Sequence, residues 1–184
     1  MEKLFIKFLE QSDKLRNGYK ESISSSNKDW EIILRELMGT VPDIFKIIYG
    51  NVSGTYYGIE NQKLLDFLPG YLLIHILEYK ESHKKLSDLL SDFDIEDDFY
   101  PILQDYSSNF IALKAETNEI YHISSEDGES LMYESPLKFF ETINDFYSKK
   151  VYFLDEDGFL DYDLELEGKI GIKNNPEIEY WANN

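Results

Sequence analysis

The 184-residue chain contains no cysteine, which excludes disulfides, thiolate metal ligation and a cysteine nucleophile. It has no apolar run near the roughly 18 residues that a membrane span needs. Its first segment, MEKLFIKFLEQSDKLRNGYK, is charged throughout and lacks the apolar block of a secretory signal. A soluble cytoplasmic protein is therefore expected. Bases are scarce: 18 Lys and Arg stand against 36 Asp and Glu, a net charge of −18. Phosphate backbones and anionic membranes are repelled by such a surface, so neither nucleic acid nor membrane is an expected partner. The phosphate-binding and dinucleotide-binding glycine patterns are missing too. The three histidines, His75, His83 and His122, have no ligand spacing, so no metal or other cofactor is expected.

What the chain does hold is enough apolar material, 42%, for one domain with a single core spanning residues 1–184. Leu4, Phe5, Phe8, Leu9 and Leu15 predict a helix over residues 1–20, which Gly18 can stop. Ser26 and Asp29 mark the start of a second helix, capped at Gly39, and Pro42 opens a third that is apolar on most sides. The run YLLIHILEY (71–79) has the length and composition of a central strand buried on both faces. A helix over 80–90 and an acidic loop, SDFDIEDD (91–98), follow.

Beyond residue 99 the period becomes two. FYPILQD (99–105), NFIALKA (109–115) and EIYHIS (119–124) predict strands, joined through turns at Asp105, Thr117–Asn118 and then Glu126–Asp127–Gly128. Ser135–Pro136 caps a helix over 136–149. VYFL (151–154) and FLDYDLEL (159–166) flank Asp155–Glu156–Asp157–Gly158 as a hairpin. That acidic turn is not a calcium loop, because the glycine register puts Phe153 and Leu164 at ligand positions. An irregular tail with Trp181 docked closes the chain. Helices first and mainly antiparallel strands later make an α+β fold, with N-terminal helices packed on the sheet and a late helix and hairpin.

The charge is lopsided. Residues 1–50 hold 8 acids and 8 bases, whereas residues 91–150 hold 14 and 4, and residues 151–184 hold 9 and 2. Two clusters stand out. One is the loop Asp92, Asp94, Glu96, Asp97 and Asp98. The other is Asp161, Asp163, Glu165 and Glu167, which alternate with Leu160, Tyr162, Leu164 and Leu166. On a strand the latter four share one face, about 6.8 Å apart. A solvated, aggregation-resistant edge is the plain reading of that strip; a docking strip for Lys and Arg of a partner is the functional one.

Three blocks resemble the SUKH superfamily of Smi/Knr-type cell-wall-synthesis regulators and bacterial toxin-immunity proteins. The first is Glu36-Leu37-Met38-Gly39-Thr40-Val41-Pro42-Asp43-Ile44-Phe45-Lys46, followed by Tyr49-Gly50-Asn51 and Gly54. Phe99-Tyr100-Pro101-Ile102, Asp105 and Asn109–Leu113 form the second, and Glu134–Glu141 the third. The blocks run from about residue 29 to 147, leaving the first helix and loop (1–28), the insert at 80–98 and the end of the chain (150–184) uncovered. Ser107–Ser108 departs from the pattern, since glycines are common there. The resemblance implies a SUKH-like fold without catalytic residues and a binding function: an immunity protein that blocks a cognate toxin with a basic surface, such as a nuclease. A regulatory or scaffold module is the alternative. An enzyme using paired carboxylates is a third and weaker reading, since 36 acids bring some pairs together by chance.

Overall fold

A computed structural model describes residues 1–23 and 27–182. The elements in chain order are α1 (Glu2–Leu15), α2 (Tyr19–Ser22), α3 (Trp30–Met38), α4 (Asp43–Asn51), β1 (Tyr71–Leu73), α5 (Tyr79–Asp92), β2 (Phe99–Asp105), β3 (Phe110–Lys114), β4 (Ile120–Ser124), β5 (Gly128–Tyr133), α6 (Pro136–Ser148), β6 (Tyr152–Leu154), β7 (Leu160–Tyr162), α7 (Leu164–Asn174) and α8 (Glu179–Ala182). The first five strands form one antiparallel meander in sequential order, and β6 and β7 form a separate hairpin. The α+β class and the single domain are as the pattern predicts.

Local chemistry accounts for several element ends. Ser135 Oγ accepts the Lys138 N–H at 3.3 Å and Pro136 occupies the first turn of α6, the N-terminal geometry both residues favour. Asp105 accepts from the backbone N–H groups of Ser107 and Asn109, both at 2.7 Å, and closes the β2–β3 turn. Within that turn Ser108 takes φ +66, a left-handed conformation that glycine adopts more readily. Asp29 precedes α3; Ser26, expected to start that helix, lies outside the described residues.

Four consecutive residues of β3, Phe110–Leu113, are buried, so both sheet faces are covered. α5 lies against β2, with Ser82 donating to Gln104 and His83 stacked on Tyr100. α1 and α6 pack together through Phe5–Phe140 and Phe8–Tyr147 ring contacts at 5.6 and 5.5 Å. Phe5 and Phe8 lie three residues apart on α1, and Phe140 and Tyr147 seven apart on α6, so each pair shares one helix face.

Two segments depart from the expected reading. The run 71–79 is not the central strand. Only Tyr71–Leu73 pairs, at the sheet edge; His75 then accepts the Leu77 N–H and opens a 3-10 turn over Ile76–Glu78 that leads into α5. The run is apolar because its residues plug the core from a bend, not because two sheet faces flank it. The central two-sided strand is β3.

The second departure is at 160–167. β7 ends at Tyr162, and Asp163 Oδ1 accepts the Leu166 N–H at 2.9 Å to cap α7. The four carboxylates therefore do not share one strand face. Leu and Glu are good helix formers, and acids in a first turn suit the helix dipole, so a capping aspartate turns the alternation into a helix. The residues after 167 are likewise mostly helical rather than irregular.

Trp181 is docked, as expected. Its indole Nε1 donates to the Met132 carbonyl at 2.8 Å, and its ring lies against Tyr133 and Phe146. Gly171 of α7 makes room: a β-carbon there would come within 2.5 Å of Trp181 Cδ2. Gly171→Ala gains roughly 1 kcal/mol of helix propensity but overpacks the ring at about 1–3 kcal/mol. The expected net result is a destabilised protein whose Trp181 emission shifts to the red, read in a Trp30→Phe background. Greater stability with unshifted emission would contradict this packing.

Candidate protein-binding face

The acidic loop after α5 is exposed along its length. Asp92 closes the helix, Asp94 takes φ +56, and Asp92, Asp94, Glu96, Asp97 and Asp98 all face solvent. Phe93, itself partly exposed, ties it to the sheet: a β-carbon on Gly128 would meet the Phe93 ring at 3.3 Å. The loop thus abuts the β4–β5 turn. Asp97 takes the only base lining the adjoining hollow, bonding Lys114 Nζ at 2.5 Å. That bond raises the Lys114 pKa, and the ammonium also lies over the Phe99 and Tyr121 rings at 5.5 and 5.4 Å. Glu96, Asp98 and Glu116 line the rest of the hollow.

The turn that Phe93 touches leads to a larger concavity. It measures about 710 Å³ and is lined by His122, Asp127, Glu129, Ser130, Leu131 and the segment Glu177–Tyr180. Four carboxylates, Asp127, Glu129, Glu177 and Glu179, meet there with no lysine or arginine in the lining. One Glu129 oxygen is buried without a hydrogen-bond partner. Burial lowers the His122 pKa, against the nearby Asp105 and Asp127 carboxylates, and its Nε2 shares a 2.9 Å hydrogen bond with the Tyr71 hydroxyl.

Tertiary docking builds this wall. Trp181 holds α8 on β5, Ile178 is buried, and Asn175 donates to Thr142 Oγ1 at 3.2 Å and to the Gly171 carbonyl at 3.1 Å. Glu177 and Glu179 are thereby carried to the sheet edge that bears Glu129. Sequence reasoning missed all four residues of the concavity as a group. The acid count past residue 90 included them, but their meeting depends on how the last helices fold back.

The 161–167 acids do not join this face as a strip. Asp161 is exposed on β7, Asp163 is spent as a helix cap, and Glu165 pairs with Lys169 on α7. Glu167 is partly buried beneath Tyr152, whose hydroxyl lies 3.5 Å from Oε1. Burial pushes its pKa up to about 7, against the opposing hydrogen bond from Tyr152.

A second exposed surface lies at the opposite sheet edge. Tyr56, Tyr57, Tyr106 and Leu77 are 57%, 51%, 61% and 68% exposed, and the Tyr106 hydroxyl donates to Asp66 at 2.6 Å. No helix among the described residues is long and apolar enough to cross a membrane. In comparisons with known proteins, the chain matches no protein-family model and no curated protein.

Proposed function

We propose that this chain is a binding protein without catalytic activity, whose acidic edge docks on a basic protein surface, and that the partner is a toxin it neutralises. One observation carries the reading. Separate chain segments converge there: Asp127 and Glu129 meet Glu177 and Glu179 around a concavity lined by no base, and the 92–98 loop adjoins it through the Phe93–Gly128 contact. Assembling like charges there stabilises nothing within the chain. An opposite field on a partner repays it by speeding encounter and rejecting wrong partners. The toxin class comes from the SUKH resemblance, in which immunity proteins occupy the toxin they block. A nuclease, with its basic substrate groove, is the partner such an edge fits best.

Charge reversal separates this edge from the rest of the acidic surface. With the toxin encoded beside this chain's gene, Asp92→Lys/Asp94→Lys/Glu96→Lys and Asp127→Lys/Glu177→Lys are each expected to slow association at least tenfold at low salt. Both sets should also flatten its salt dependence. Asp161→Lys, away from the edge, should change it less than threefold. Equal effects from all three sets would reduce the attraction to net charge, and no effect would remove the acidic edge from the interface. A neighbouring metabolic operon with no toxin gene would favour a regulatory or scaffold protein.

A further inference from the structure

We propose that the cleft between the C-terminal ends of α1 and α6 and strand β6 is a binding site for a small aromatic carboxylate. This site is independent of the acidic edge. The cleft measures about 460 Å³ and is lined by Gln11, Lys14, Leu15, Tyr147, Ser148, Lys150, Tyr152 and Phe153. Its size is that of an ordinary small-molecule site, and its walls have the usual make-up of apolar and aromatic side chains with a few polar groups.

Charge distinguishes it from every other concavity described above. Those hollows carry Glu96, Asp97, Asp98 and Glu116, or Asp127, Glu129, Glu177 and Glu179. A further hollow beside Tyr57 carries Glu78 and Glu81. The α1–α6–β6 cleft has two lysines and no acid in its lining, in a chain with twice as many acids as bases. Among the described residues, neither Lys14 nor Lys150 is in an ion pair. Each lies at a helix C-terminus, where a cation is favourable by itself; what that does not require is that both face one apolar cleft. Lys150 is held there by a left-handed turn, φ +60, closed by the Val151 N–H on the Phe146 carbonyl at 2.9 Å.

The wall adds positive potential from behind. Arg16 is 3% exposed, donates to Tyr147 Oη at 3.3 Å, to Ser12 Oγ and to the Asp66 carbonyl, and has no carboxylate within ion-pair distance among the described residues. The acids elsewhere are screened over a Debye length of about 8 Å at physiological salt, so an anion in the cleft responds chiefly to these nearby cations. Gln11 Oε1 is buried without a partner and can accept from a ring N–H. A flat ring laid on the aromatic wall that Tyr147 and Tyr152 form, their centroids 5.2 Å apart, and flanked by Phe153, with its carboxylate at the two lysines, satisfies both requirements.

Three probes with the same ring test this by calorimetry: indole-3-acetate, neutral tryptophol and cationic tryptamine. Indole-3-acetate should bind at least tenfold more tightly than tryptophol, and tryptamine should bind more weakly than either. Lys14→Glu/Lys150→Glu should lose at least tenfold for the acetate alone. Ser148→Phe, which fills the cleft and keeps both charges, should abolish binding of all three, with thermal melts confirming that each variant folds. Equal affinities for the three probes, no binding of the acetate, or acetate binding that survives either variant would overturn the proposal.

Discussion

Gly54→Ala is expected to lower the stability of this domain by about 3 kcal/mol, from a left-handed conformation and an overpacked contact together. Gly54 takes φ +100, and a β-carbon there would lie 2.7 Å from His75 Cα, with the Ile74 carbonyl closer still. The approach is enforced from both sides. Thr55 N–H donates to the Leu73 carbonyl at 2.8 Å, and Ile76 N–H to the Ser53 carbonyl at 2.8 Å. The 53–55 segment thus runs alongside β1 and its continuation, protecting that sheet edge. Tyr49 Oη donates to the Ile74 carbonyl at 2.8 Å from below, so the carbonyl has no free direction in which to retreat. At about 2–4 °C per kcal/mol for a domain of this size, the midpoint should fall by roughly 10 °C in a thermal melt. A loss under about 1 kcal/mol would mean that the two segments can part without disturbing the core.

Glu167→Gln is expected to do the opposite, and only above a particular pH. The carboxyl titrates near 4.3 in an unfolded chain and is pushed up to about 7 in the folded one by burial beneath Tyr152. The folded state therefore favours the protonated form. Stability from this group is complete below the unfolded value and is lost as pH rises through the folded one, a window from about 4.3 to 7. Each pH unit of difference is worth about 1.4 kcal/mol, and partial exposure of Glu167 discounts the total. The glutamine should stabilise the protein by about 2 kcal/mol at pH 8 and leave it unchanged at pH 4. Denaturant midpoints across that range give the test. A constant difference at both ends would show that the carboxyl is solvated rather than buried.

How much of this was legible in the residues depends on whether the signal was local. Ser135–Pro136, Asp105 and the α6 aromatic spacing act within a few residues of themselves, and each appears in the structure where its chemistry puts it. Two errors came from reading periodicity as if it had one solution. YLLIHILEY is apolar enough for a two-sided strand, yet its burial is shared among an edge strand, a 3-10 turn and the start of α5. LDYDLELE alternates like a strand, but Asp163 caps a helix in its middle. In both cases a backbone N–H donating to a nearby polar side chain, His75 or Asp163, redirected the backbone.

By itself the sequence determined the fold class, the turns and caps, and the concentration of acid past residue 90, because composition and short-range hydrogen bonding need no partner distant in the chain. Tertiary structure alone decided which acids meet. Docking of Trp181 on β5 and Gly171 brings Glu177 and Glu179 to Asp127 and Glu129, and the same folding sends Glu167 under Tyr152 instead. Proximity between residues some fifty positions apart is set by how apolar faces pack, and no pattern of charges along a chain contains it.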